Sequence, residues 1–206
     1  MSMRSGSKQW LQQHAQDPYV RQARESGYRS RAVYKLMEID ERDRLLRPEM
    51  CIVDLGSSPG AWSQYVRQIV GASGRVIALD QLPMEPIENV LFIQGDFSDE
   101  AVREHLIHAL GNGPVDLVIS DMAPNISGIK ATDKARMMCL LEAVRDMAIE
   151  ILKPGGDVLV KGFQSEEFAG YVKGLRRHFK KVSTRKPKAS RQLSSELYVL
   201  ARSYVV

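Results

Sequence analysis

Cys51-Ile52-Val53-Asp54-Leu55-Gly56-Ser57-Ser58-Pro59-Gly60-Ala61-Trp62 begins as a short apolar run, closes in a glycine-rich turn and opens into an amphipathic segment. That is the pattern of a buried strand delivering the chain into a helix. The same rhythm continues downstream. Strands are expected at Cys51 to Leu55, Arg75 to Asp80, Val90 to Gln94, Val115 to Ser120 and Asp157 to Lys161, with helices near Trp62 to Val70, Asp99 to Leu110, Thr132 to Leu152 and Ser165 to Phe179. Alternating strands and helices imply a parallel sheet covered on both faces. Two further strands, Lys181 to Thr184 and Glu196 to Ala201, have no helix between them, so one must run antiparallel. The expected fold class is therefore α/β: a doubly wound, mostly parallel seven-stranded sheet with one antiparallel strand and helices on both faces.

Upstream of this core, Asp17 opens a helical pattern through Tyr19 to Ala23, Gly27 interrupts it, and Ser30 is placed to cap a helix carrying Val33, Leu36, Met37 and Ile39. The small, polar, basic residues 1–8 read as a mobile arm, and residues 9–47 as a helical segment packing on the core. No linker divides the 206 residues, and one domain is expected. No apolar run approaches the ~20 residues of a membrane span, and the N-terminus lacks the apolar core of a secretory signal, so the reading is a cytoplasmic protein without a membrane partner. Cys51 and Cys139 are expected as buried core thiols.

Charge is distributed unevenly. The net charge is +4 over residues 1–47, −8 over residues 48–160 and +8 over residues 161–206. An acidic middle suits a cationic ligand, whereas basic ends suit a polyanion such as nucleic acid. Ligands of doubly wound sheets bind at the carboxyl edge of the strands. Asp54, Asp80 and Asp96 all fall at that edge. Ser58 and Pro59 break the G-x-G-x-x-G spacing that lets backbone approach a pyrophosphate. Three edge carboxylates disfavour a phosphate ligand but suit a sulfonium cation on an aminoacyl nucleoside. In this arrangement Asp80 bonds the ribose and Asp96, beside Phe97, accepts from the adenine amine. Asp121 and Lys161 end the next two strands, Glu196 starts the last one at the same edge, and Lys35 lies in the early helix.

Taken together, Ser30-Arg31-Ala32 with Lys35, Val53-Asp54-Leu55-Gly56 with Pro59-Gly60 and Trp62-Ser63-Gln64-Tyr65, Gln94-Gly95-Asp96-Phe97, Ser120-Asp121-Met122-Ala123-Pro124-Asn125 with Ser127-Gly128, and Lys161 with Phe163-Gln164 resemble the FtsJ-like (RrmJ-type) ribosomal RNA large-subunit 2′-O-ribose methyltransferase family over nearly the whole chain. The resemblance implies a single Rossmann-like methyltransferase domain that uses S-adenosyl-L-methionine without a metal. It further implies a substrate in ribosomal RNA or the large ribosomal subunit, at an A-loop uridine, and a monomeric enzyme. The family's Lys-Asp-Lys-Glu tetrad falls on Lys35, Asp121, Lys161 and Glu196, and its cofactor contacts fall on Gly60, Trp62, Asp80, Asp96 and Asp121. Two positions depart from the pattern. Ala61 stands where a further Gly is frequent, and Gly162 follows the tetrad lysine where Val is usual, which is expected to loosen Lys161.

A ribose hydroxyl is a weak nucleophile and a sulfonium methyl is already activated, so catalysis reduces largely to alignment. Lys161 is the candidate base: Lys35 nearby favours its neutral form, while Asp121 and Glu196 favour the charged form that would instead orient the hydroxyl. The alternatives are a tRNA ribose methyltransferase carrying the same tetrad, an NAD-dependent oxidoreductase, and a non-catalytic ribosome assembly factor. The broken glycine fingerprint opposes the oxidoreductase, and the intact tetrad opposes the assembly factor. The basic ends are expected to meet as one RNA surface through Arg29 and Arg31 on one side and Arg185, Lys186, Lys188 and Arg191 on the other.

Overall fold

A computed structural model describes residues 17–205 apart from positions 112, 126, 192 and 193. The arm expected at residues 1–8 and the start of the segment 9–47 lie outside the described residues. The elements are α1 (Pro18–Glu25), α2 (Val33–Asp43), β1 (Cys51–Leu55), α3 (Ala61–Val70), β2 (Arg75–Asp80), β3 (Leu91–Gln94), α4 (Glu100–Leu110), β4 (Val115–Ser120), α5 (Lys130–Ile151), β5 (Leu152–Phe163), α6 (Glu166–Leu175), β6 (Phe179–Arg185) and β7 (Glu196–Tyr204). The sheet order is β3-β2-β1-β4-β5-β7-β6. β1 to β5 pair in parallel, and β7 runs antiparallel between β5 and β6. The expected mixed seven-stranded sheet is thus found.

Alternation along the strands sorts the core into two layers. Val53, Leu55, Val118, Val158, Val160 and Val199 point to one face and pack with α4, α5 and α6 through Leu106, Leu141, Val144, Phe168 and Tyr171. Ile52, Leu117, Ile119, Leu159, Tyr198 and Leu200 point to the other and pack with Leu36 and Ile39 of α2 and Trp62 and Val66 of α3. Asp54, Asp121, Lys161 and Glu196 share the parity of this second set. The sheet therefore presents all four side chains on the face that α2 and α3 cover.

Several local expectations need correction. Ser30 does not cap α2. Its Oγ accepts from Ala32 N at 3.3 Å in the turn ahead of the helix, which starts at Val33 with Ala32 as an uncapped first residue. α5 begins at Lys130, two residues ahead of the expected start at Thr132. β5 begins at Leu152, ahead of the expected start at Asp157, because Lys153-Pro154-Gly155-Gly156 forms a bulge within it. Leu152 already pairs with Val115, and pairing resumes at Asp157 with Leu117, the detour using a left-handed Gly155 (φ 83°). α6 ends at Leu175, short of Phe179, which instead starts β6. Cys51 is buried but Cys139 is exposed. Met137, Leu141, Val144 and Ala148 set the buried stripe of α5, and position 139 falls between its turns.

No helix among the described residues is long and apolar enough to cross a membrane. Leu36 is completely buried between α2 and the sheet. Leu36→Ala is expected to cost about 2–5 kcal/mol and to lower one shared melting transition, followed by near- and far-ultraviolet circular dichroism. Two separated transitions would show α1 and α2 to be an independent unit.

Candidate active site

The β1–α3 turn is built for close approach. Gly56 (φ 74°) and Gly60 (φ 103°) adopt left-handed conformations that favour glycine. A Cβ on Gly56 would lie 1.9 Å from Met122 Cγ, and one on Gly60 would lie 2.8 Å from Met84 Sδ and 2.9 Å from Arg29 Nη1. Between them Ser57 is buried, and its Oγ has no hydrogen-bond partner among the described residues. Ser58 N donates to Asp80 Oδ2 at 2.8 Å, and Leu82 N donates to Asp80 Oδ1 at 2.8 Å, so the aspartate orients both loops at the edge while each oxygen keeps an acceptor site. Asp96 is fixed by Gln81 Nε2 at 2.7 Å and by Ser98 N and Oγ at 2.9 and 2.6 Å. Gln81, which the sequence did not single out, thereby connects the ends of β2 and β3. Trp62 lies elsewhere than its expected role suggests: its ring is buried, packs 5.9 Å from Tyr198 and donates through Nε1 to Ala32 O at 2.8 Å. Any ligand contact there falls to its backbone N–H in the first turn of α3.

Asp54 is fully enclosed and accepts from Ser63 Oγ at 2.6 Å. Burial pushes its carboxyl up to about 7; the Ser63 bond opposes this, and the charges of Asp121 and Asp80 add to it. The folded protein therefore holds this proton more tightly than the unfolded chain does.

Beside this cradle the four tetrad side chains meet. Lys35 Nζ lies 2.8 Å from Glu196 Oε1 and 3.9 Å from Asp121 Oδ1. Lys161 Nζ lies 2.9 Å from Asp121 Oδ1 and also donates to the Asp121 carbonyl. Tyr198, directly opposite Lys161 in the β5–β7 pairing, donates its hydroxyl to Asp121 Oδ1 at 2.6 Å. Ser190 Oγ donates to Glu196 Oε1 at 2.8 Å. Burial alone would raise the Glu196 pKa, but the charge and hydrogen bond of Lys35, the charge of Lys161 and the Ser190 bond hold it below its ordinary value. Burial, then the charges of Asp121 and Glu196, push the Tyr198 phenol well up, so it remains a proton donor. Tyr198 and Ser190 were missed at the sequence level. The period-two relation of Glu196 and Tyr198 in one strand was the available signal for the tyrosine.

Gly162 does not loosen Lys161. It faces the opposite side of the sheet, where a Cβ would lie 2.2 Å from Phe168 Cε2: the ring occupies the volume a side chain would need. Three of the arginines expected to hold RNA, Arg29, Arg31 and Arg185, have partners within the protein. Arg29 donates to the carbonyls of Pro59, Glu85 and Pro86 at 3.0, 2.6 and 2.9 Å, fastening the two loops of the cradle. Arg31 pairs with Asp17 and Ala189 O. Arg185 forms a two-pronged pair with Asp43 at 2.6 and 2.7 Å. Lys186 Nζ donates to Ser194 O at 2.9 Å, and Lys188 N donates to Glu38 at 2.7 Å. The two basic ends do meet, but through bonds that anchor the segment ahead of β7 on α1 and α2.

A sheet of this order, with a glycine cradle and acidic residues at its carboxyl edge, defines a Rossmann-like methyltransferase. The sequence model of the FtsJ-like methyltransferase family matches residues 28–204, and the chain belongs to that family. It is 52% identical over 204 residues to "Ribosomal RNA large subunit methyltransferase E" of Pseudomonas aeruginosa, covering 99% of both chains. The protein of the same name from Pseudomonas fluorescens is 51% identical over 204 residues, 99% of this chain and 98% of the relative. Among solved structures, a chain described as a ribosomal RNA methyltransferase of Plasmodium falciparum superposes with a TM-score of 0.78 at 30% identity, covering 86% of this chain and 98% of its own. One from Clostridium thermocellum shares the fold at a TM-score of 0.57 and 16% identity, covering 82% and 97%.

Two outcomes are expected. In the cofactor-free protein, the cost of Asp54 is absent below its ordinary value of 3.8, grows as pH rises to about 7 and is constant above. The melting temperature of Asp54→Asn should therefore gain on the parent between pH 4 and 7 and keep that lead at pH 8; a pH-independent difference would contradict a buried, proton-retaining carboxyl. Gly162→Val should cost about 1–3 kcal/mol by overpacking, and adding Phe168→Ala should recover part of it in chemical denaturation.

Proposed function

We propose that the protein is an S-adenosyl-L-methionine-dependent methyltransferase acting on a ribose 2′-hydroxyl of large-subunit ribosomal RNA, with an A-loop uridine as the target. The observation that carries this reading is the convergence of Glu196, Lys35, Asp121 and Lys161, linked in that order by ion pairs of 2.8, 3.9 and 2.9 Å, beside the Gly56–Gly60 cradle. The identity to relatives named ribosomal RNA large subunit methyltransferase E supports the substrate. The protein is proposed to work as a single-domain monomer in the cytoplasm, on free ribosomal RNA or the large subunit.

The cradle suits the cofactor. Gly60 and the Trp62 backbone N–H line the turn, the buried Ser57 Oγ has an unused donor, Asp80 retains acceptor sites for ribose hydroxyls, and Asp96 stands at the end of β3 for an adenine amine. Asp121 is the tetrad member on the cradle side and serves both. When bound, S-adenosyl-L-methionine supplies a methyl group on a positively charged sulfur, which keeps the bonding electrons as a neutral thioether.

The chain's own contribution is alignment and proton handling. Asp121 holds Lys161 through its carboxylate and its carbonyl, which fixes the amine at the end of β5 and leaves its remaining position for the ribose oxygen. As that oxygen bonds to the methyl carbon its proton becomes strongly acidic, and Lys161 in its amine form, with two N–H bonds on Asp121 and its lone pair toward the hydroxyl, is placed to receive it and become the ammonium. Lys35 and Glu196 pair with each other and hold the far side of the site, with Tyr198 donating its one hydroxyl proton to Asp121 and lying 3.3 Å from Glu196 Oε1.

Transfer of labelled methyl from S-adenosyl-L-methionine to undermodified large-subunit RNA, with mapping of 2′-O-methyl positions, tests the reading. Methylation confined to tRNA, or none on either RNA, would overturn the substrate. Lys161→Ala should lower turnover by about 10²–10⁴ while leaving cofactor affinity within twofold. Glu196→Ala should do less damage. Asp80→Ala should weaken cofactor binding in calorimetry by about 1.5–3 kcal/mol.

A further inference from the structure

α6 and β6 bound an open groove of about 430 Å³ on the sheet face opposite the tetrad. Its floor is apolar, with Phe168, Val172 and Leu197, and its wall carries Lys173, Arg176 and Thr184. A second concavity of about 550 Å³ continues it past Gly170 and Gly174 to Arg177. The two glycines have nothing within 4 Å of where a Cβ would stand, so the backbone of α6 is bare there and open to close approach. Lys173, Arg176 and Arg177 are exposed, and none has a side-chain partner among the described residues. In that respect they differ from Arg29, Arg31 and Arg185, whose guanidinium groups are all engaged within the protein.

Resting on the RNA substrate proposed above, we infer that this groove seats the RNA strand flanking the target nucleotide, with ribose and base on the apolar floor and phosphates on Lys173, Arg176 and Arg177. The near end of the groove lies at the strand edge that carries the site. Gln164 and Ser165 line it three and four residues after Lys161, and Gln164 N bonds Ser195 O at 2.8 Å, next to Glu196. At about 1.5 Å per residue, Lys173 lies roughly 12 Å along α6 from Ser165, too far for the target nucleotide but within reach of its neighbours. Glu166 and Glu167, exposed in the first turn of α6, repel phosphate at the mouth and so direct it toward the far end. β6 is the edge of the sheet and carries exposed Lys180 and Lys181, which oppose pairing with a strand of another protein and favour a polyanion.

The test compares the parent with a Lys173→Ala, Arg176→Ala, Arg177→Ala variant and a Glu166→Gln, Glu167→Gln variant. Readouts are affinity for a large-subunit RNA fragment across salt concentrations, calorimetric cofactor affinity and methyl transfer. Each phosphate contact contributes a salt slope of about 0.7–0.9, so the triple variant should lose about 2 from the log–log slope and bind at least about tenfold more weakly at low salt. Its cofactor affinity and its turnover at saturating RNA should stay within twofold. The glutamine variant should bind RNA more tightly than the parent. Unchanged RNA affinity and slope in the triple variant would overturn the groove, even if the parent methylates the RNA. If RNA binding depends on the groove but the parent transfers no methyl group, the proposed reaction fails and the groove stands.

Discussion

Two lysines and two carboxylates, each with less than a fifth of its side-chain surface exposed, share one corner of the sheet, and their opposite charges offset the cost of placing them there. Remove one carboxylate and a lysine is left partly buried without its counter-ion; remove one lysine and the reverse holds. The network therefore demands close placement of elements that lie far apart along the chain: α2, the end of β4, the end of β5 and the start of β7. Tyr198 and Ser190 fill remaining hydrogen-bonding positions of the two carboxylates, so few acceptor sites are left without partners.

That placement is maintained by a second set of ion pairs and hydrogen bonds away from the chemistry. Arg185 with Asp43, Arg31 with Asp17 and Ala189, and Lys188 with Glu38 fasten the segment before β7 to the N-terminal helices. Arg29 does the same for the loops of the cradle. The N-terminal helices thus contribute Lys35 and also hold the parts of the site that come from the last third of the chain.

The sheet was legible because its strands are short, apolar and separated by helices with clear periodicity, and the antiparallel strand followed from two strands without a helix between them. The edge acids, with Asp121, Lys161 and Glu196, were legible because strand ends deliver side chains to a known edge, whereas Lys35, on a helix, joined them as a tetrad through the family resemblance. What the sequence could not convey is how polar side chains are paired. Net charge counts Arg29, Arg31 and Arg185 as available cations, whereas folding gives each a partner. Trp62 stands beside the glycines in sequence but turns its ring into the core, because α3 must bury one face. Gly162 looked like a loss of support for Lys161 because Phe168, six residues later, returns over the strand only once α6 has formed.

The contact between Gly162 and Phe168 carries an evolutionary consequence. With the ring in place, position 162 admits no side chain; with a branched residue at 162, the ring has no room. A lineage moving between the two arrangements must pass through one of two unfavourable intermediates, a clash or a hole, one residue away from the lysine on which the reaction is proposed to depend. The two positions should therefore change together among relatives, and a relative's residue transplanted at one of them alone should be tolerated poorly.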